Sequence, residues 1–257
     1  NEHDETEINP IEENKISWAG QKVDFDVHFE SDNFIIINKS PGCVMHPGSG
    51  CNDGTLANGL LYKYPKLANL PRSGIVHRLD KDTSGVLLVA KNEKFRNYFI
   101  QLMQERKITK EYIAVVAGPT LGSFTIDYPI GRDKFNRTKM ALRSDGKDAI
   151  TNVKLNQSLG NYSVLDVSIK TGRTHQIRVH LSSKKLPIIG DKTYDPSKTI
   201  TKGSSKELIE IIRSFSRQAL HARLLSFECP DTQKKLSFEI PMPSDMKNLI
   251  SSLKKHS

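Results

Sequence analysis

Cysteine and long hydrophobic runs are both scarce in this sequence. Its 257 residues include three cysteines, Cys43, Cys51 and Cys229. So few, in an odd number, argue against a disulfide framework and suit a reducing compartment. No apolar run approaches the length of a membrane span, and the acidic N-terminus lacks the features of an export signal. The sequence therefore predicts a cytoplasmic protein without a membrane partner.

Several signatures of common enzyme and metal sites are also missing. Cys43, His46 and Cys51 lack a second pair of ligands at the usual zinc spacing, so no metal is predicted. The glycines between residues 48 and 54 are not followed by the Gly-Lys-Ser/Thr of a phosphate-binding loop. A Gly-x-Ser-x-Gly nucleophile elbow and the Pro-Cys-x-x-Cys pattern of zinc deaminases are absent as well. These absences argue against three large classes of enzyme.

The charge of the chain is strongly basic and unevenly distributed. Lysine and arginine total 38 against 29 acidic residues, a net charge of +9. The first 14 residues hold six of the acids and no lysine or arginine, so residues 15–257 carry a net charge of +15. A body this basic favours RNA or DNA as a partner. A basic protein without such a partner is, on charge alone, nearly as good an interpretation.

The pattern of apolar residues predicts one α+β domain over residues 23–257, preceded by an acidic flexible tail over residues 1–22. Several adjacent strands lack regular intervening helices, which indicates a mixed, mainly antiparallel sheet. Strands are predicted near residues 27–29, 34–38, 85–91, 113–117, 149–157, 163–170, 223–228 and 235–240. Helices are predicted near residues 55–64, 93–107, 174–183, 206–216 and 243–255.

The stretch from Ser73 to Gly85 concentrates charge between apolar residues. Four charged side chains and a histidine lie within residues 77–82, and Ile75–Val76 and residues 86–89 flank them as predicted buried strands. Charge next to a core is costly unless it is paired or used, so Asp80 should have a cationic partner. If residues 77–80 continue a strand, Arg78 and Asp80 share a face. A structural ion pair is the simpler alternative to a catalytic carboxylate.

A second charged stretch runs from Thr171 to His180. Thr174 is a plausible N-cap for the helix that follows, and Arg173, His175 and Arg178 surround this helix start. His175 and Arg178 are three residues apart and would lie on one helical face.

Three motifs in order resemble those of the RluA-type pseudouridine synthases: Gly74 to Gly85, Lys110-Glu111-Tyr112, and Thr171 to His180. The similarity extends from about Val23 to Ser251. It implies a bent mixed β-sheet flanked by helices with the active site in a central cleft. It also implies cofactor-free isomerisation of uridine in a stem-loop of 23S ribosomal RNA, of the helix 69 type. Family members of this type carry an N-terminal S4-like RNA-binding domain, which the residues before Val23 do not resemble.

The resemblance also assigns roles to individual residues. Asp80 becomes the catalytic carboxylate, Arg178 its ion-pair partner, Tyr112 the ring that stacks on the flipped base, and Arg78 the side chain that fills the gap left by that base. Leu225 is a candidate for lining the pocket. The candidate RNA contacts lie in the basic stretch 132–147 and at the start of the third motif: Arg132, Arg137, Lys139, Arg173 and His175.

The partners that follow are RNA and a precursor of the large ribosomal subunit, with the protein acting as a monomer. Three alternatives stay open on the residues alone. The basic stretch 132–147 could be a solvated loop, and the whole protein could be a non-catalytic RNA-binding or ribosome-assembly factor. A synthase of the same family that acts on tRNA or on another ribosomal site is a third possibility.

Overall fold

A nine-stranded mixed sheet runs through the protein, seen in a computed structural model that describes residues 18–48 and 50–256. The described residues form eleven strands, nine of them in this sheet: β1 (Asp26–Glu30), β2 (Phe34–Lys39), β3 (Ser84–Ala90), β4 (Thr109–Ala117), β5 (Ser123–Asp127), β6 (Ile130–Arg132), β7 (Met140–Leu142), β8 (Ile150–Leu159), β9 (Tyr162–Ile169), β10 (Leu220–Glu228) and β11 (Lys235–Glu239). The helices are α1 (Leu56–Lys63), α2 (Glu93–Gln104), α3 (Gln176–Ser183), α4 (Lys206–Ser214) and α5 (Ser244–Lys255).

The order of strands in the sheet is β1-β2-β3-β10-β4-β9-β8-β5, with β11 paired to β10. β3 and β10 run parallel, whereas the other pairs along this path are antiparallel. β6 and β7 form a separate hairpin. The predicted α+β class with a mixed, mainly antiparallel sheet is therefore confirmed.

The core forms where apolar strands meet the helix α2. Burial is nearly complete along β2 and β3, and Phe34 stacks on Phe95 of α2 with ring centroids 4.9 Å apart. Phe99, one turn further along α2, packs edge-on against Phe227 of β10 at 5.3 Å. Such aromatic contacts stabilise the packing beyond the burial of apolar area, so they hold α2 against β2 and β10, the two strands that flank β3.

Gly85 holds β3 and β10 unusually close together. Its φ is +116°, and a Cβ atom built on it would lie 2.1 Å from the carbonyl oxygen of Ala222. No side chain fits in that space, so the position requires glycine. The last residue of the first motif thus joins the motif to β10.

Three local predictions were wrong. Ile75–Val76 is not a strand: Ile75 follows the turn at Pro71–Gly74 and has an extended backbone, but it makes only one isolated bridge, to Val89. Thr174 is not the N-cap of α3, since the helix begins after His175, whose φ is 56°. Residues 132–147 are not a plain loop, because β7 and the end of β6 lie within them.

The other predicted helices and strands are found within a few residues of their expected ends. α2 ends at Gln104, three residues early. α1 begins as expected after the N-cap Thr55, whose side chain accepts from the Asn58 backbone N–H. The acidic residues 1–17 lie outside the described residues. Residues 18–22, predicted as part of the tail, contact α1, where the Gln21 N–H donates to Asn58 O at 3.0 Å.

None of the helices formed by the described residues has both the length and the hydrophobicity needed to span a bilayer.

Candidate active site

The first and third motifs meet at an ion pair between Asp80 and Arg178. Asp80 lies in the irregular segment between Ile75 and β3, and Arg178 lies on α3, 98 residues later. An Arg178 guanidinium N–H donates to Asp80 Oδ2 at 2.9 Å. The predicted cationic partner of Asp80 is thus present. Asp80 does not pair with Arg78, because residues 76–80 are not a strand and the exposed Arg78 side chain lines the neighbouring cleft.

Asp191 holds the other side of the Arg178 guanidinium. Arg178 Nε and Nη2 donate to its two carboxylate oxygens at 2.7 and 2.8 Å, and both side chains are almost completely buried. Burial by itself raises the pKa of Asp191, but the Arg178 hydrogen bonds and the backbone N–H groups of Thr193 and Tyr194 bring it below the ordinary value. Burial disfavours the Arg178 charge, yet its two carboxylate partners raise the Arg178 pKa overall.

Tyr194 and His175 form a polar chain beside this ion pair. The Met140 N–H of β7 donates to Tyr194 Oη, and Tyr194 Oη lies 2.9 Å from His175 Nδ1. His175 Nε2 faces Asp80 Oδ2 at 4.0 Å. Burial lowers the pKa of His175, although the Asp80 charge partly opposes this, and burial raises the pKa of Tyr194 to about 12. The β6–β7 hairpin is therefore linked by hydrogen bonds through Tyr194 to His175, whose ring faces Asp80 without a hydrogen bond to it.

Lys39 anchors the backbone just after Asp80. Its ammonium group is buried and donates to the carbonyl oxygens of Ser40, Lys81 and Thr83 at 3.0, 2.8 and 2.9 Å. Burial lowers the Lys39 pKa to about 8. An ammonium with three acceptors fixes the conformation of an otherwise irregular segment, so Lys39 positions the loop that carries Asp80.

We expect Lys39→Met to loosen that loop. Three carbonyl groups, of which that of Thr83 is buried, lose their donor, at a cost of about 1–3 kcal/mol in the free energy of unfolding, and kcat falls while KM for RNA stays unchanged. Denaturant unfolding and steady-state kinetics at pH 7 measure both. The difference in kcat should narrow above pH 8, where wild-type Lys39 loses its own charge. Lys81→Met, which alters an exposed lysine in the same segment, serves as the control and should unfold like wild type; equal losses in both variants would contradict the prediction.

A cleft of about 1060 Å³ opens next to the first motif; Arg78 lies in its lining, whereas Asp80 and Arg178 do not. Tyr112 lines it and has 8% of its surface exposed. Burial raises the pKa of Tyr112, and the nearby Asp80 charge adds to the shift, so the phenol is neutral. None of the described residues that line the cleft is acidic. Its charged side chains are all basic: Arg72, Arg78, Arg106, Lys110, Lys170 and Arg173. Such a lining suits a polyanion.

His77 has a structural role at the wall of this cleft. Its Nε2 accepts from the Leu88 N–H of β3 at 2.9 Å. Burial, with a smaller contribution from the Lys110 charge, lowers the pKa of His77 to about 3. The imidazole is therefore neutral and ties the first motif to β3.

The remaining predicted site residues are dispersed. Leu225 is buried in the core within β10 and does not line the cleft. Arg132 and Arg137 are exposed on the β6–β7 hairpin, where an Arg132 N–H donates to Arg137 O at 2.9 Å. Lys139 lies on the same hairpin. Arg173 lines the cleft and donates to Asp148 O at 3.0 Å.

Four residues that shape the site were not among the predicted site residues, although one of them, Lys110, lies in the second motif. Asp191 and Tyr194 lie in the segment between α3 and α4, Lys39 ends β2, and Lys110 enters the cleft from β4. A lysine that closes an otherwise apolar strand, as Lys39 does, was the available signal, since such a residue is buried only when it has acceptors. Within residues 18–48 and 50–256, no three His, Cys, Asp or Glu side chains are grouped to hold a metal ion.

The sequence and the fold were compared with known proteins. The sequence profile of the RNA pseudouridylate synthase family matches residues 33–183. A protein named ribosomal large subunit pseudouridine synthase D from Vibrio parahaemolyticus is 42% identical over 243 residues, covering 95% of this chain and 75% of its own. One of the same name from Xanthomonas campestris is 40% identical over 251 residues, covering 98% and 76%.

Solved structures share the fold. Human RNA pseudouridylate synthase domain containing 4 superimposes with a TM-score of 0.68 at 23% identity, covering 89% of this chain and 93% of the other. Human RNA pseudouridylate synthase domain containing 1 gives 0.64 at 25% identity, covering 92% and 97%. The residues matched by the profile include both Asp80 and Arg178, and the curated relatives align along nearly the whole chain. This chain is a member of the RNA pseudouridylate synthase family, the enzymes that isomerise uridine in RNA.

Proposed function

We propose that this enzyme converts specific uridines to pseudouridine in large-subunit ribosomal RNA, with Asp80 as the catalytic carboxylate. The observation that carries the chemical part is the Asp80–Arg178 ion pair, placed beside a cleft whose charged lining is entirely basic. The choice of RNA rests on the curated relatives, which are named as large-subunit synthases and are 40–42% identical over most of this chain.

Asp80 initiates the isomerisation by acting on the ribose or on the uracil ring. The N1–C1′ bond breaks, the uracil turns within the site, and a C5–C1′ bond forms in its place. The C5 proton is then removed and N1 gains a proton, so no atom is gained or lost and no cofactor is required. The Arg178 guanidinium, held from behind by Asp191, fixes the orientation of the carboxylate for this reaction.

Tyr112 and Arg78 handle the flipped base. A uridine inside a stem-loop must leave its stack before Asp80 can reach it, at a cost of a few kcal/mol. The Tyr112 ring lines the cleft and offers an aromatic face to the extruded uracil, while the exposed Arg78 occupies the gap that the base leaves.

Phosphate contacts offset the cost of flipping. Arg173 in the cleft and Arg132, Arg137 and Lys139 on the β6–β7 hairpin supply positive charge for these contacts. The tip of the hairpin also exposes 99% of Phe135, a surface on which an unpaired base can stack. The hydrogen bonds from Met140 through Tyr194 to His175 fix the position of this hairpin relative to Asp80. His175 therefore helps to position the carboxylate and does not contact the RNA backbone.

The setting we propose is the cytoplasm, with the enzyme acting as a monomer on a precursor of the large ribosomal subunit. Residues 1–22 would serve as an acidic linker whose last residues, from Trp18 to Gln21, pack against the domain, and residues 23–257 would form the catalytic domain.

The test is to treat unmodified large-subunit ribosomal RNA with the protein and map pseudouridine by carbodiimide-blocked primer extension. We expect stops at a small number of uridines. Stops on tRNA or small-subunit RNA alone would refute the proposed substrate while leaving the proposed chemistry in place. The absence of stops on every RNA, with RNA binding retained, would instead favour a binding or assembly factor.

A further inference from the structure

Lys110 is a cation in the cleft for which the protein provides no counter-charge. It lies on β4 two residues before Tyr112, and side chains two apart on a strand point to the same face. Both residues line the cleft. The Lys110 ammonium also lies against the third motif, since a Cβ atom built on Gly172 would be 3.7 Å from Lys110 Nζ.

No described residue forms a hydrogen bond or an ion pair with the Lys110 side chain. The acid next to it in sequence, Glu111, pairs with Arg223 instead, at 2.6 Å. The other charged side chains lining the cleft are basic, so they repel this ammonium. Its desolvation is reflected in the pKa, which burial lowers below the ordinary lysine value. A half-buried charge without a partner destabilises the free protein, which is the situation expected of a ligand site.

We infer that Lys110 binds a phosphate group of the RNA next to the target uridine. Phosphates are the anions that RNA brings into the cleft, and an ammonium is a compact partner for one of them. The position beside Tyr112 places that phosphate on the nucleotide that is extruded or on its neighbour. This inference rests on the RNA substrate of the family and not on the identity of the ribosomal target, so it applies to whichever RNA the enzyme modifies.

The experiment pairs Lys110→Met with substrates that each carry one neutral methylphosphonate at a phosphate flanking the target uridine. In the wild type, one of these substitutions should weaken binding about tenfold, as the loss of a hydrogen bond to a charged group does. In Lys110→Met the RNA as a whole binds about tenfold more weakly, and the same methylphosphonate should cause no further loss. Lys170→Met removes an exposed lysine from the same cleft and should leave the methylphosphonate penalty intact.

A second measurement separates this site from a packing role. Removing an unpaired, half-buried charge should raise the Tm of the RNA-free protein by about 2–4 °C, whereas Lys170→Met should leave it unchanged. Methylphosphonate penalties of equal size in wild type and Lys110→Met would overturn the inference. If the binding defect of Lys110→Met disappeared only with RNA whose target uracil lacks a carbonyl oxygen, Lys110 would contact the base. That result would equally overturn the inference.

Discussion

Replacing Asp80 with asparagine is expected to abolish pseudouridine formation while RNA binding survives. The amide has nearly the shape of the carboxylate but cannot act as nucleophile or base, and it carries no charge to stabilise a developing positive centre. We expect kcat to fall by more than about a thousandfold, the scale seen when the reacting group of an enzyme is removed. Primer extension on carbodiimide-treated RNA measures the product, and gel-shift titration measures binding.

Asp82→Asn is the matched control for this prediction. It makes the same chemical change two residues away, on a carboxylate that forms no ion pair or side-chain hydrogen bond with the described residues. Its turnover should remain within a few-fold of wild type. Residual activity of Asp80→Asn above one-hundredth of the wild-type value would refute the assignment of Asp80, and equal losses in the two variants would point to the loop as a whole.

The second large effect is expected on stability as well as on activity. Arg178→Met leaves the carboxylate of Asp191, which has 1% of its side chain exposed, buried without a cation. Removing one partner of a buried ion pair costs about 3–5 kcal/mol of the free energy of unfolding. Turnover should also collapse, because Asp80 loses the group that orients it. Denaturant unfolding and single-turnover assays measure the two effects.

A double substitution separates the two consequences of losing Arg178. In Arg178→Met/Asp191→Asn, the stranded charge is gone and much of the stability should return, while activity should not. Arg143→Ala provides a matched control, because Arg143 pairs with the exposed Asp145 at the surface and its loss should change stability by at most about 1 kcal/mol. If Arg178→Met were as stable as Arg143→Ala, the buried ion pair would not hold the site together.

The same pair predicts a direction for the pH dependence. Because the pKa of Asp191 is lowered in the folded state, its contribution to stability is complete above the ordinary aspartate pKa of about 3.9 and is lost as the pH falls through the folded value. In Arg178→Met the buried carboxyl instead favours its protonated form. The difference in unfolding free energy between the two proteins should therefore be largest at neutral pH and narrow on acidification. A difference that widened in acid would contradict this account.

Local sequence determined most of the elements and the chemistry of the first motif. Period-two and period-3.6 apolar patterns depend only on neighbouring residues, so β2, β4, β8, β9 and the helices α1, α2, α4 and α5 could be placed from the chain alone. The cost of placing charge beside the apolar residues 86–89 likewise indicated that Asp80 must have a partner. These inferences needed no knowledge of which elements are neighbours in space.

Tertiary structure decided which groups act on Asp80 and in what conformation. Arg178 reaches it from 98 residues away, and Asp191 and Tyr194 lie beyond the helix that carries Arg178. Lys39 is buried because three carbonyl groups of a distant loop converge on it. Contacts between residues so far apart in sequence leave no periodic signal. The left-handed backbone at Ser73 and at His175 also arises where the chain must turn to bring these groups together, against its local preference. The sequence thus supplied the carboxylate that we propose as catalytic, and the fold supplied the charges and hydrogen bonds around it.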